Sequence, residues 1–133
     1  MKKQFTKRKS FYLNSEGSEA LADIGGNMWK HRKNVSPPTQ TDIVRLAIIW
    51  QERLLEIRED EARERAKAYK SYKAVPKGNS RITVNLTSSN IEKLKKIQRF
   101  ITGTNQHNTT ASDVITFALQ GVASFPPLGY MLP

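Results

Sequence analysis

The chain has 133 residues, of which 22 are lysine or arginine and 12 are aspartate or glutamate, and its formal net charge is +10. This length supports one modest hydrophobic core but not two independent cores, and the charge favours a polyanionic partner, either nucleic acid or an acidic membrane surface. Cysteine is absent, which excludes a disulfide framework, a thiolate metal site and a thiol nucleophile.

The N-terminal segment, residues 1–6, is predicted to be a flexible basic arm. No apolar stretch typical of a signal peptide follows it, and the chain has no run of about 18 apolar residues that could span a bilayer. These features predict a cytoplasmic protein that makes no membrane contact.

A first strand is predicted from Lys7 to Leu13, with Phe11 and Leu13 pointing inward. Lys9 occupies the next inward position along this strand. We therefore expect this end of the strand to fray, or the lysine stem to lie along the apolar surface.

A first helix is predicted from Ser15 or Ser18 through Ile24. Gly25 and Gly26 follow, and each glycine inside a helix costs about 1 kcal/mol relative to alanine. We therefore expect this helix to break or bend at the two glycines.

A second, long helix is predicted from about residue 42 to residue 73, after a turn forced by two prolines and a cap at Thr39 or Thr41. Its segment 58–65 is polar on every side. Two pairs at the i,i+4 spacing support this segment by about 0.2–0.5 kcal/mol each, Glu59 with Arg63 and Glu61 with Arg65. A solvated helical spacer is the favoured interpretation, and the alternative is a coiled-coil or partner-binding surface.

The second half of the chain begins with a linker, residues 76–80, and with the clearest strand, residues 81–87. Polar and apolar residues alternate there with period two, which is typical of a strand with one buried face. The predicted inward residues are Ile82, Val84 and Leu86, and the predicted outward residues are Arg81, Thr83 and Asn85.

Two further helices are predicted after this strand, separated by a polar turn. A capping box from Ser89 to Glu92 opens the first of them, and Thr110 or Ser112 opens the second. The first is predicted to end near Gly103, the second to end before Pro126, and the tail, residues 125–133, to be irregular.

The two halves of the chain repeat one another. The strand and the first helix align at a spacing of 73 residues, so that Leu13 matches Leu86, and the second helices align at a spacing of 71, so that Thr41 matches Ser112. Two copies are too few for a solenoid, so we expect a pseudo-symmetric pair that shares one core. The predicted fold class is mainly α with one two-stranded antiparallel ribbon, and the repeats cover residues 7–75 and 81–124.

No candidate active site or metal site is predicted. His31 and His107 are both predicted to lie in turns, without a carboxylate or a second histidine at a ligand spacing. Trp29 and Trp50 are predicted to be core residues rather than a base-stacking platform. No nucleophile accompanies a base, so we expect no enzyme, no cofactor and no metal.

The pattern from Arg81 to Thr87, followed by a capped helix, a polar turn and a helix led by Thr110 or Ser112, resembles the ribbon-helix-helix DNA-binding proteins. It is most similar to their tandem, single-chain members. These include the TraY-type relaxosome accessory proteins of conjugative plasmids and the accessory protein of T-DNA transfer on tumour-inducing plasmids. The resemblance implies a bacterial, plasmid-encoded protein that binds double-stranded DNA, with a relaxase or other transfer proteins as further partners.

The outward residues of the two strands are the candidate DNA base readers, because a two-stranded ribbon fits the major groove. They are Arg8, Ser10, Tyr12, Arg81, Thr83 and Asn85. Candidate phosphate contacts are N-terminal lysines and the starts of the second helices, where backbone N–H groups and the helix dipole favour an anion. They are Thr39, Gln40, Thr41, Thr110, Ala111, Ser112, Lys2, Lys3, Lys7 and Lys9. Each group has an alternative interpretation. The outward strand residues could simply face solvent, the threonines could only cap their helices, and the N-terminal lysines could form a solubilising tail.

The predicted function is sequence-specific binding of double-stranded DNA, as an accessory factor for plasmid or T-DNA processing and transfer or as a transcriptional repressor. The alternative is a protein-binding module, an antitoxin or partition adaptor that uses the long helix or the C-terminal tail. An RNA or membrane-surface binder driven by charge alone is the third candidate. We expect a monomer in free solution, because its two strands pair with each other, and several copies on repeated DNA sites.

Overall fold

Alternating apolar residues bring the two strands of the chain together into one antiparallel ribbon, and helices pack against its inner face. The computed structural model describes residues 6–31, 37–68, 80–106 and 109–127. The described elements are β1 (Thr6–Leu13), α1 (Ser15–His31), α2 (Gln40–Ile57), α3 (Glu59–Ala68), β2 (Ser80–Thr87), α4 (Ser88–Asn105) and α5 (Ala111–Ser124). As predicted, the described residues are mainly helical, with a single two-stranded antiparallel sheet.

The ribbon pairs β1 with β2 along their whole length, and Ser10 lies opposite Thr83 near its centre. The predicted fraying at Lys9 is wrong, because Lys9 pairs with Val84 within the ladder while its side chain is exposed. The apolar residues predicted to point inward are all buried. They are Phe11, Leu13, Ile82, Val84 and Leu86.

The first helix of each half begins directly after its strand, where a side chain caps it. At the start of α1, Asn14 Oδ1 accepts a hydrogen bond from the N–H of Gly17 at 2.6 Å. At the start of α4, Thr87 and Asn90 form a capping box, with reciprocal bonds of 3.0 and 3.1 Å. The capping box predicted to open at Ser89 is therefore wrong, because the last residue of β2 already supplies the cap.

Helix α1 runs through both of its glycines, so the predicted break is wrong. Ile24 and Met28 on this helix are fully buried, and burial of that apolar face offsets the low helix propensity of glycine. Gly25 lies so close to α2 that a Cβ built on it would be 2.9 Å from Cδ1 of Ile43. The helix continues to His31, which is therefore a helical residue and not a turn residue as predicted.

The predicted long helix is two helices. Helix α2 opens with a capping box between Thr39 and Asp42. The helical path is interrupted at Arg58, whose backbone angles (φ −136°, ψ 51°) are not helical. The N–H of Arg58 donates to the carbonyl of Leu54 at 2.9 Å and closes α2. Helix α3 follows and packs against α4.

Helix α3 is not the solvated spacer that its sequence predicts, because one of its sides is buried. Ala62 and Ala66 are 2% and 0% exposed. Arg65, three positions after Ala62 and directly before Ala66, donates to the carbonyl of Phe117 on α5 at 2.8 Å. Small side chains and the stem of an arginine thus form the packed face of α3.

One of the two predicted ion pairs of α3 forms. Arg63 pairs with Glu59, as predicted. The pair of Glu61 with Arg65 does not form, because Arg65 turns toward α5. Glu61 pairs instead with Arg58, at 2.9 Å.

A cluster of buried apolar side chains contains residues from every described strand and helix. Trp29, which is predicted to be a core residue, lies outside this cluster and is 50% exposed, and Ile57 at the end of α2 is 60% exposed. Trp50 packs at the edge of the cluster. Its indole N–H donates to the carbonyl of Phe125 at 2.5 Å, which attaches the end of α5 to α2.

Several predictions concern residues outside the described part of the chain. These are the arm to residue 5 with Lys2 and Lys3, the end of the predicted long helix after residue 68, the linker to residue 79, His107 and the tail beyond residue 127. Among the described helices, none combines the length and the apolar character that crossing a membrane requires.

Candidate nucleic-acid interface

The six predicted base readers lie together on the outer face of the ribbon, and each of them is exposed. The strand register arranges them as three directly opposed pairs, Arg8 with Asn85, Ser10 with Thr83 and Tyr12 with Arg81. Successive side chains of a strand point to opposite faces, so burial of the inner residues turns these six toward solvent. The outer face is therefore a continuous polar strip.

Hydrogen bonds connect the side chains at the centre of this strip. The hydroxyl oxygens of Ser10 and Thr83 are 3.1 Å apart, and Nη2 of Arg81 donates to Oγ of Ser10 at 3.3 Å. Together with Arg8, these residues line a shallow hollow of about 460 Å³. The two arginines therefore lie on either side of the ribbon centre.

The ribbon is strongly cationic. Its two strands contain four cations, Lys7, Arg8, Lys9 and Arg81, and no carboxylate. None of the four forms an ion pair with another described residue. Like charges held close together repel each other, and a polyanion relieves that repulsion.

The starts of α2 and α5 lie against the edges of the ribbon. Oγ1 of Thr41 accepts a hydrogen bond from the N–H of Asn85 at 3.2 Å, and Oγ of Ser112 accepts one from the N–H of Tyr12 at 3.0 Å. In a two-stranded ribbon both strands are edges, and these N–H groups have no strand partner. Each helix start therefore covers a strand from the other half of the chain.

Capping decides which backbone donors at these helix starts are available to a ligand. Thr39 and Thr110 are N-caps, and their hydroxyls accept from the N–H groups of Asp42 and Asp113 at 3.1 Å. The N–H of the next residue in each helix donates to the carbonyl of the cap. The first two helical residues therefore have N–H groups without an intrahelical acceptor. They are Gln40, Thr41, Ala111 and Ser112.

The remaining predicted phosphate contacts are lysines. Lys7 and Lys9 are exposed on β1, where they alternate with the predicted base readers and start from the opposite face of the strand. Arg45 is a cation at the ribbon that the sequence interpretation missed, and its Nε donates to the carbonyl of Asn85 at 2.8 Å. Its place one helical turn after Thr41 is the sequence signal that could have indicated it.

The chain matches no known family model, no curated protein and no solved structure. Its function is therefore inferred from its own residues. Within the described ranges, no group of three His, Cys, Asp or Glu side chains could hold a metal ion.

Proposed function

We propose that this protein binds double-stranded DNA sequence-specifically, with the β1–β2 ribbon in the major groove. The observation that carries this proposal is the outer face of the ribbon, where three opposed pairs of polar side chains lie between two helix starts. The major groove is about 12 Å wide, admits a two-stranded ribbon and presents a different donor and acceptor pattern for each base pair.

The outer side chains have the donors and acceptors needed to read base edges. Arg8 and Arg81 can each donate two hydrogen bonds to O6 and N7 of guanine, and Asn85 can pair with N6 and N7 of adenine. Thr83 can donate or accept a hydrogen bond while its methyl group contacts thymine. One arginine in each strand predicts one guanine in each half of the DNA site.

The proposal includes two ribbon-helix-helix units that share a core within one chain. The register of the ribbon supports it, because the opposed residues Ser10 and Thr83 are also 73 positions apart, the spacing of the sequence repeat. A local two-fold axis through this pair would relate Arg8 to Arg81, which are the same residue type, and Tyr12 to Asn85, which are different residue types. The two half-sites would then be similar but not identical, and the DNA target would be an imperfect palindrome.

Phosphate contacts on both sides of the groove would hold the ribbon in place. The available N–H groups at the starts of α2 and α5 lie beside the ribbon edges, and helix starts favour anions. Asp42 and Asp113 weaken this attraction, since each adds a carboxylate to a first turn. Lys7 and Lys9 add attraction that does not depend on sequence.

Marking a DNA site for other machinery is the role that fits a small DNA reader for which no enzyme activity is predicted. The resemblance to tandem relaxosome and T-DNA accessory proteins favours plasmid transfer, and transcriptional repression is the other role within this proposal. The protein-binding alternative relies on a surface of the long helix. That surface is reduced, because Ala62 and Ala66 of α3 belong to the buried core.

Selection of bound duplexes from a random double-stranded pool, at about 150 mM salt to weaken non-specific attraction, tests the proposal. We expect enrichment of a short, imperfectly palindromic motif. The matched variant replaces Thr83 and Asn85 by alanine, which keeps every cation of the ribbon. It should remove the base preference at the positions that these two residues read, keep the guanines read by the arginines, and leave binding to random DNA unchanged. Binding at low salt with no enriched motif would contradict base reading by the ribbon.

A further inference from the structure

Two hydrogen bonds cross between the halves of the chain at the proposed DNA surface. Thr41 in the first half accepts from the N–H of Asn85 in the second half at 3.2 Å. Ser112 in the second half accepts from the N–H of Tyr12 in the first half at 3.0 Å. Both donors belong to proposed base readers, so each reader is held by a side chain from the other half.

The two ends of the ribbon are not held equally. Nε of Arg45 donates to the carbonyl of Asn85 at 2.8 Å, so both backbone polar groups of Asn85 are bonded to α2. At the corresponding place in α5, the hydroxyl of Thr116 donates instead to the carbonyl of Ser112, at 3.1 Å. Among the described residues, Asn85 thus has two bonds to α2, and Tyr12 has one to α5.

We propose that Thr41 and Arg45 are positioning residues that set the base preference of Asn85, and that Ser112 does the same for Tyr12. This inference rests on the DNA binding proposed above. The hydroxyls of Thr41 and Ser112 each accept a hydrogen bond from a strand N–H through one lone pair, and each still has its own proton to donate to a phosphate. One oxygen atom then connects the phosphate contact to the backbone of the base reader, so docking on the DNA backbone fixes where the reader enters the groove.

This role differs from that of an ordinary phosphate contact. A phosphate contact carries no sequence information, so its loss weakens binding to all DNA alike. Loss of a positioning residue instead relaxes base preference. Loss of Thr41, in the first half of the chain, would relax the half-site read by Asn85 of the second half, and loss of Ser112 would relax the half-site read by Tyr12 of the first half. Because Asn85 has two such bonds and Tyr12 has one, the half-site read by Asn85 is the more stringent of the two.

Three variants test the crossed arrangement: Thr41→Val, Arg45→Met and Ser112→Ala. Duplex selection with Asn85→Ala first identifies the half-site that Asn85 reads. We expect Thr41→Val and Arg45→Met to reduce base discrimination in that half-site by about 2- to 10-fold, the value of one hydrogen bond. The other half-site should be unchanged by these two variants, and Ser112→Ala should give the reverse pattern.

A double variant supplies the control for coupling. Once Asn85 is alanine, adding Thr41→Val should not relax the motif further, because the positioned side chain is gone. Equal losses on all DNA, or relaxation of both half-sites together, would overturn the inference and leave DNA binding intact. A wild-type protein that selects no motif would instead overturn the proposed function as well. Thermal unfolding identifies variants that fail to fold. A folded variant of Thr41 or Arg45 tests the inference for the half-site that Asn85 reads, and a folded variant of Ser112 tests it for the half-site that Tyr12 reads.

Discussion

Arg65 is a single polar side chain that joins three helices. Its guanidinium lies 4.2 Å from the centre of the Phe117 ring, and it donates to the Phe117 carbonyl at 2.8 Å and to Oε1 of Gln51 at 3.2 Å. Burial lowers the pKa of Arg65 to about 10, and the charge of Glu61 opposes that shift. Arg65 is therefore still charged at neutral pH, and it satisfies the oxygen of a fully buried amide.

We predict that Arg65→Met lowers the free energy of unfolding by about 2–3 kcal/mol. Methionine fills part of the space but leaves the buried oxygen of Gln51 without its donor. Urea denaturation measures the change. Arg63→Met is the matched control, because Arg63 is a half-exposed residue of the same helix that pairs with Glu59, and its loss should cost less than about 1 kcal/mol. Similar costs for the two variants would contradict the role assigned to Arg65.

At the proposed DNA surface, Arg81→Ala should change which bases are preferred, at a cost of about 1–3 kcal/mol on the selected site. The guanidinium of Arg81 reaches toward the ribbon centre, where Nη2 is 3.3 Å from Oγ of Ser10. Arg99→Ala, which removes an exposed arginine of α4, is the control, and it should leave the preference for the selected over the random duplex unchanged. Fluorescence anisotropy on both duplexes measures the two effects, and equal losses for Arg81→Ala would remove its base-reading role.

At the scale of elements, segments with a strictly periodic apolar pattern could be predicted from the sequence, and segments without one could not. Alternation over residues 81–87 predicted β2 and both of its faces, and the apolar run after Thr110 predicted α5. The packing of α3 could not be predicted, since its buried face consists of alanines and the stem of Arg65. The cap at Thr87 was missed because the threonine belongs to the strand and caps the helix as well.

The adjacent glycines of α1 provide a matched test of helix packing. A Cβ on Gly26 would meet no atom within 4 Å, whereas one on Gly25 would be 2.9 Å from Cδ1 of Ile43. We predict that Gly26→Ala raises the free energy of unfolding by about 0.5–1 kcal/mol. Gly25→Ala should raise the free energy of unfolding by less, because the end of the Ile43 side chain has to move to make room for the new methyl group. Thermal unfolding measures both, and an equal gain would argue against close contact of α1 and α2 at Gly25.

A charged link between α2 and α4 makes stability depend on pH. Lys93 donates to the carboxylate of Glu52 at 2.6 Å, and Lys96 donates to it at 3.3 Å. The hydrogen bond from Lys93 is the main reason that the pKa of Glu52 lies below its ordinary value. A lowered pKa means that folding favours the charged form. The stabilisation is therefore fully present at neutral pH, above the ordinary pKa of a glutamate, and is lost in acid as the pH falls through the lowered pKa of Glu52.

We predict that Glu52→Gln lowers the free energy of unfolding by about 1 kcal/mol at pH 7, and that this cost shrinks toward pH 3. Urea denaturation at both pH values measures it. Glu56→Gln is the control, since Glu56 is 64% exposed and its ion pair with Lys96 is at 3.3 Å. Its cost should be smaller at pH 7. A cost of Glu52→Gln that stays constant with pH would mean that the charge of Glu52 contributes nothing.

At the scale of the whole molecule, the sequence predicted the face of the ribbon but not the contacts that hold it. Alternation alone assigns the outward residues. The hydrogen bonds that Thr41 accepts from Asn85 and that Ser112 accepts from Tyr12 join residues 44 and 100 positions apart, and no local sequence pattern indicates such pairs. They arise because α2 packs on β2 and α5 packs on β1, which is a tertiary outcome.

The pairing of β1 with β2 within one chain also leads to a prediction about assembly. A lone strand leaves its backbone groups unpaired and requires a partner. Here the register, from Thr6 opposite Thr87 to Leu13 opposite Ser80, places a residue of β2 opposite every residue of β1. We therefore predict a monomer in free solution, with a melting temperature that does not change with protein concentration, since mass action affects only associating species. Sedimentation equilibrium and thermal unfolding at several concentrations measure both. An obligate dimer whose melting temperature rises with concentration would mean that like strands pair between chains. The ribbon would then be truly symmetric, and the proposed DNA target would be a perfect palindrome instead of an imperfect one.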